Sequence, residues 1–123
     1  MEKEFVPYEL AVKLKELGFD EPCFVYYKRS NENKPAYPNH GVIQNSICGN
    51  GITAPTFSQV FRWFRDKYNL KSFIQPIPDD VDTYIFAYGT KEIEHDDEDY
   101  LKYEEAELAC LEKLIEIVEL KSE

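Results

Sequence analysis

The side chains that could do chemistry are few and far apart along the chain. Glu94-His-Asp-Asp-Glu-Asp99 places five carboxylates and an imidazole within six residues, which could attract a cation. This run lacks the glycine and the fixed spacing of a calcium-binding loop. The histidines and cysteines do not have the spacing of zinc ligands. We therefore expect no metal and no cofactor, and we interpret the acidic run as a solvated loop.

Catalysis has little support in the sequence. Cys23, Cys48 and Cys110 are widely spaced, and two of them lie in apolar runs, which is typical of reduced, buried thiols. Either histidine, His40 or His95, could act as a base, but no neighbouring pattern selects one. We expect a protein that is not an enzyme. An enzyme whose catalytic groups meet only in the fold stays an open alternative.

Trp63 is the candidate for partner binding. It lies on the shoulder of a predicted helix whose apolar face has helical spacing, together with Gln59 and Asp66, and Arg62 lies elsewhere on the same surface. A half-exposed tryptophan accompanied by arginine is typical of an interface anchor. The alternative is that Trp63 packs under another element and widens the core face, since tryptophan is highly buried on average.

Three rings alternate along one predicted strand, at Tyr84, Phe86 and Tyr88. Such a row could stack the bases of a single-stranded nucleic acid. Stacking platforms normally lie among lysine and arginine side chains, and few such side chains lie near this row. We favour the alternative, in which the rings form the core between sheet and helix with hydroxyl groups at its edge.

The net charge of −10 is concentrated in the last quarter of the chain. Residues 92–123 hold 13 acids and 3 bases, whereas the first 91 residues hold 11 of each. An acidic surface repels phosphate backbones, so we expect no direct nucleic-acid binding. The same surface motivates a different hypothesis, in which the protein imitates nucleic acid and occupies the channel of a DNA-acting enzyme.

Length and hydropathy indicate one globular domain over residues 1–123. No apolar run approaches the roughly 18 to 20 residues of a membrane span. The N-terminal residues lack the basic and apolar regions of a secretory signal. With thiols that suit a reducing compartment, these features predict a cytoplasmic protein that does not enter a membrane.

The elements that must position these residues follow from periodicity and turn signals. Three helices are predicted, at about Pro7–Leu17 with Gly18 as its left-handed end, from Thr56 to Tyr68 with Asn69 as its exit, and over Tyr103–Leu120 with a long apolar face. Four strands are predicted at Cys23–Lys28, Gly41–Cys48, Lys71–Ile77 and Val81–Tyr88. The segment Arg29–His40, predicted as a long hairpin loop or a local excursion of the chain, separates the first two. An acidic connection, Lys91–Asp99, precedes the last helix.

The predicted fold is α+β. A small antiparallel sheet of about four strands, formed by two hairpins, packs against three helices in the order α-β-β-α-β-β-α. The outer strands of so small a sheet have exposed edges, so the protein could be a monomer or a homodimer.

Several blocks of the sequence resemble a family of small proteins from gut-type bacteria and their phages or mobile elements. The blocks are Phe5-Val-Pro-Tyr8, Leu14–Cys23, Thr53–Tyr68 and Tyr103–Leu111. They match in order and content, and the regions Arg29–Gly51 and Gln75–Lys102 do not take part. No activity is assigned to that family, so the resemblance implies a genomic context and no mechanism.

Three functions remain open at this point. The first is a small, non-catalytic cytoplasmic module of phage or mobile-element type, which binds an unidentified protein partner through the surface around Trp63. The second is the acidic mimic of nucleic acid, whose binding would weaken steeply with added salt. The third is an enzyme with a site that only the fold assembles.

Overall fold

The computed structural model describes residues 4–28, 31–38, 41–49, 51–96 and 98–121. Within these ranges the chain forms three helices and two three-stranded antiparallel sheets. The predicted α+β class is therefore confirmed. The prediction of one sheet of about four strands is wrong, because the strands form two separate sheets of three strands each. The chain divides into two compact units, Met1–Phe57 and Ser58–Glu123, which are described in turn, and the predicted single domain stays a prediction.

The first helix, α1 (Tyr8–Glu16), ends as its sequence predicts. Gly18 has a φ of 98°, a conformation that costs a residue without a side chain little. The Phe19 N–H donates to the Leu14 carbonyl oxygen at 2.9 Å, and the Gly18 N–H donates to the Lys15 carbonyl oxygen at 3.1 Å. These two bonds form a Schellman motif, which satisfies the last carbonyl groups and turns the buried Phe19 back toward the helix.

The first sheet has β1 (Tyr26–Lys28) at its centre, between β2 (Asn31–Ala36) and β3 (Ile52–Thr53). Strand β2 lies within the segment predicted as a loop, and this prediction is wrong. Pro35 made the segment look unlike a strand, but β2 is an outer strand, where a residue without an N–H is tolerated.

The return strand predicted at Gly41–Cys48 is also wrong. Its only pairing in the described residues is an isolated bridge between Ile43 and Cys23. Residues 45–47 form a turn, and β3, further along the chain, takes the place beside β1. The predicted strand Cys23–Lys28 is correspondingly shortened to β1, with Val25 buried just before it.

The second unit contains nearly all of α2 (Phe57–Tyr68), whose first residue still belongs to the first unit. Its buried residues include Val60 and Phe64, as the helical spacing predicts. Asn69 adopts a φ of 55° directly after the helix, which confirms the predicted left-handed exit.

The second sheet has β5 (Asp80–Gly89) at its centre, between β4 (Lys71–Ile77) and β6 (Glu94–His95). The predicted hairpin of β4 and β5 is confirmed, with an antiparallel register that runs from Lys71 opposite Gly89 to Pro76 opposite Tyr84. Strand β6 was not predicted, since it is two residues long and lies inside the acidic connection.

The last helix, α3 (Tyr103–Lys121), packs against β4 and β5. Its buried residues repeat at helical spacing, as predicted: Ala106, Cys110, Leu111, Leu114, Ile115 and Val118. Phe86 of β5 is buried, and the Tyr84 ring meets the Tyr103 ring edge to face at 5.7 Å between centroids. The aromatic row of β5 therefore belongs to the sheet–helix core, which was the favoured alternative to a stacking platform.

Candidate functional site

The residues selected from the sequence for partner binding lie on α2, and the structure separates them by exposure. Trp63 is only 6% exposed, and its ring packs edge to face on Phe64 and Tyr68 at 5.0 and 5.4 Å. Arg62 and Asp66 are exposed, whereas Gln59 is half-buried. The expectation of a half-exposed ring is therefore corrected: Trp63 has the burial that the core alternative predicts.

One cation also covers the Trp63 ring. The Lys67 ammonium lies 5.1 Å from the ring centroid, close enough for a cation–π interaction. The surface that α2 offers around Trp63 is thus polar, made of the exposed Arg62, Asp66 and Lys67. Helical spacing alone could not show this, because it gives the angle of a side chain and not what packs against it.

A buried amide organises the turn that replaces the predicted strand. Asn45 is buried, and its Nδ2 donates to the Phe19 carbonyl oxygen at 2.7 Å. Its Oδ1 accepts the Thr53 N–H at 2.9 Å. The Asp20 carboxylate accepts the Ser46 N–H at 2.7 Å. These bonds join the end of α1, the turn and β3, so the cluster has a structural role.

Cys48 and Lys15 approach each other in the same unit, which is the nearest the described residues come to an activated nucleophile. The Cys48 thiol and the Lys15 ammonium both donate to the Gly51 carbonyl oxygen, each at 2.9 Å. Burial nevertheless raises the pKa of Cys48, and the charge of Lys15 opposes this only in part. The thiolate is the reactive form of cysteine, so the geometry does not make Cys48 a good nucleophile.

The other two thiols are still less reactive. Burial raises the pKa of Cys23 to about 11 and that of Cys110 to about 12. All three cysteines are free thiols. Of the two histidines, His95 lies exposed in β6 with its ring 6.4 Å from that of Phe73. His40 lies outside the described residues, as does Asp97 of the acidic run.

The first unit carries an aromatic groove that the sequence did not predict. We use this name for a cavity of about 390 Å³ whose lining includes Glu4, Phe5, Phe24, Tyr37, Gly41 and Thr56. Phe24 and Tyr37 are each 66% exposed. Another part of the lining is fixed by backbone pairing, since Phe5 bridges Thr56 and the Val6 N–H donates to the Pro55 carbonyl oxygen at 2.9 Å.

Two features of the chain hid this groove. Phe24 lies in a segment predicted as a strand, but it occupies a bend just before β1. Tyr37 lies between Pro35 and Pro38 in the segment predicted as a loop. A large ring between two prolines is the sequence signal that could have drawn attention to this region.

Searches for related proteins and for metal sites add little to this geometry. Comparison with protein-family models, curated proteins and solved structures finds no match. In the described ranges no group of three or more His, Cys, Asp and Glu side chains could hold a metal ion. None of the helices described there is long and apolar enough to cross a membrane. The resemblance to phage-related proteins stays a prediction.

Proposed function

We propose that the protein is a small, non-catalytic interaction module that binds a protein partner through the aromatic groove. The observation that carries this proposal is the exposure of Phe24 and Tyr37 in the lining of one cavity. Covering apolar rings removes them from water, and aromatic residues are enriched in protein interfaces. This proposal keeps the predicted class of function and moves its surface from Trp63 to the groove.

The groove suits an apolar side chain of the partner. Its lining includes the rings of Phe5, Phe24 and Tyr37, and its volume of about 390 Å³ accommodates a bulky anchor with its backbone. Glu4 is exposed and is part of the lining, so a lysine or arginine beside the anchor would be favoured. A contact dominated by rings depends little on salt, because screening acts on charges.

The setting of this function is also a proposal. The three free thiols support a reducing compartment, and we infer a cytoplasmic location from them. A phage or mobile-element origin is supported only by the resemblance of the four sequence blocks.

The proposal is tested by partner capture with matched variants. The tagged protein, Phe24→Ser/Tyr37→Ser and the control Ile47→Ser are compared in lysate of the source organism at low and moderate salt. Ile47 is 71% exposed in the same unit and is not part of the groove lining. We expect one protein to be captured by the wild type and the control at both salt concentrations and lost with the double variant. Equal capture by all three would contradict the proposal.

A second candidate function, the acidic mimic, is favoured by one arrangement on α3. Four exposed glutamates fall within about 60° of one another around the helix axis at 100° per residue, and they are Glu105, Glu112, Glu116 and Glu119. Along the axis they extend over about 20 Å at 1.5 Å per residue. Lys113 lies 3.8 Å from Glu116 and neutralises part of this stripe.

Salt separates the two candidates. Binding through the glutamate stripe should fall steeply between low and moderate salt, and Glu112→Gln/Glu119→Gln should weaken it. Groove variants should leave such binding unchanged. If the captured protein is retained at moderate salt and by the glutamate variant, the mimic hypothesis fails.

A further inference from the structure

The second unit contains a charged cleft, separate from the residues of the groove and of the glutamate stripe. It has a volume of about 480 Å³. Its lining includes Leu70, Tyr88, Gly89, Thr90, Lys91, Glu92, Glu94, Lys113, Ile117 and Lys121. These residues come from the position before β4, the end of β5, the connection to β6, the start of β6, and the second half of α3. Its size is that of a small-molecule site.

The apolar part of the cleft is formed by side chains that the fold holds in place. Leu70 is buried, and Ile117 of α3 is half-buried. The Tyr88 ring is also half-buried and packs against Phe86 with 6.1 Å between centroids. A ligand with a short hydrocarbon part could cover this surface and remove it from water.

The distribution of lysines around the cleft is unusual for so acidic a segment. Residues 92–123 contain three bases, and two of these, Lys113 and Lys121, line the cleft. Lys91, in the connection from β5 to β6, adds a third ammonium group. Three cations from two parts of the fold therefore border one cavity.

Part of this charge is already compensated. The Lys113 ammonium lies 3.8 Å from the Glu116 carboxylate and 5.8 Å from the centroid of the Tyr88 ring. Burial raises the pKa of Tyr88, and the negative charge of Glu94, which accepts a hydrogen bond from the Tyr88 hydroxyl, raises it further. These four side chains form a connected group that holds one positive and two negative charges.

Lys91 and Lys121 differ from Lys113 in this respect. Within the part of the chain that the structure describes, the ammonium group of neither lysine has a hydrogen bond or an ion pair. Outside the group around Lys113, the charged residues of the lining are Lys91, Lys121 and Glu92. Two cations and one acid give this part of the lining a net positive charge.

The connection that carries Lys91 is fixed by a close approach of the backbone to itself. A Cβ on Gly89 would collide with the carbonyl oxygen of Glu92, so the chain can turn here only with glycine at this position. The turn places Lys91 at the border of the cleft in the folded protein. The backbone of this turn is therefore fixed in the absence of a ligand.

We propose that this cleft binds a small amphipathic carboxylate, whose hydrocarbon part lies on Leu70 and Ile117 and whose carboxylate lies near Lys91 and Lys121. Binding removes the hydrocarbon part of the ligand and the apolar surface of the cleft from water, which favours the complex. The two ammonium groups favour an anion over a neutral or cationic ligand of the same shape. The site is independent of the aromatic groove, so either proposal can fail without the other.

The test uses three probes with the same chain: hexanoate, hexan-1-ol and hexylammonium. Each is titrated into the ¹⁵N-labelled full chain, and amide shifts are followed by NMR. We expect saturable shifts at Gly89, Thr90 and Ile117, with hexanoate bound more tightly than the alcohol and the amine more weakly than both. An exposed ion pair contributes at most about 1 kcal/mol, and the double variant Lys91→Gln/Lys121→Gln removes two of them. We therefore expect this variant to lower the affinity for hexanoate about tenfold.

Lys102→Gln is the matched control, because Lys102 is exposed and is not part of the cleft lining. It removes one positive charge outside the cleft lining and should leave the affinity for hexanoate unchanged. The proposal is overturned if the alcohol or the amine binds as tightly as hexanoate, or if hexanoate shifts no amide of the cleft. It is also overturned if Lys102→Gln weakens binding as much as Lys91→Gln/Lys121→Gln does.

Discussion

Replacing Asn45 with alanine should destabilise the protein more than an ordinary polar substitution. The buried amide bonds two backbone groups that are distant in sequence, the Phe19 carbonyl oxygen at 2.7 Å and the Thr53 N–H at 2.9 Å. Alanine leaves both without this partner. An unsatisfied buried polar group costs about 1–3 kcal/mol, so we expect the free energy of unfolding to fall by about 2–5 kcal/mol.

Gln44→Ala is the matched control for this prediction. Gln44 also donates one side-chain hydrogen bond to a backbone carbonyl, that of Asp20 at 2.8 Å, but this bond is exposed. Water replaces its partner, so the loss should stay below about 1 kcal/mol. Urea unfolding followed by circular dichroism gives both values, and amide hydrogen exchange of Thr53 reports the local bond. If Asn45→Ala costs no more than Gln44→Ala, the structural role given to Asn45 is refuted.

Three further predictions concern stability. Leu111→Ala should lower the free energy of unfolding by about 2–5 kcal/mol in urea titrations, whereas Leu101→Ala, at an exposed position, should change it by less than about 0.5 kcal/mol. Gly18→Ala should cost about 1–2 kcal/mol, measured in the same way, because its φ of 98° is unfavourable for alanine. Burial raises the pKa of Cys110 from 9.0 to about 12, so as the pH rises the unfolded chain loses this proton before the folded protein does. Ionisation of Cys110 should therefore leave stability unchanged below pH 9 and lower it between pH 9 and 12. Urea midpoints measured across that range should fall less steeply for Cys110→Ala than for the wild type.

The parts of the fold that local sequence determines could be predicted. Gly18 and Asn69 end their helices in left-handed conformations, as few other residues can. The hairpin of β4 and β5 was predicted because Tyr84, Phe86 and Tyr88 alternate along a strand, and its two strands are neighbours in sequence. The spacing of apolar residues identified α3, since one face of it must be buried.

The parts that depend on distant partners could not be predicted. Strand β3 is two residues long and pairs with β1, which lies more than twenty residues earlier in the chain. No local sequence pattern could therefore predict it. Asn45 stabilises a turn through groups that only the fold brings near. The burial of Trp63 and the exposure of Phe24 have the same origin, because what packs against a ring is decided by tertiary structure.

The central claim, binding through the aromatic groove, can be tested without knowing the natural partner. Peptides are selected from a random library on the immobilised protein, and the affinity of the enriched peptide is measured by calorimetry. Burying a large apolar side chain contributes about 1.5–3 kcal/mol, and Phe24 and Tyr37 are each about two-thirds exposed before binding. Loss of both rings should therefore cost about 2–4 kcal/mol, or about thirtyfold to a thousandfold in affinity.

Three proteins are compared in this measurement: the wild type, Phe24→Ser/Tyr37→Ser and Ile47→Ser. Circular dichroism first checks that the variants are folded. The account predicts that enriched peptides share an aromatic or aliphatic anchor, bind the wild type and Ile47→Ser equally, and bind the double variant at least about thirtyfold more weakly. Equal affinity for all three proteins, or no enrichment on the wild type, would contradict it.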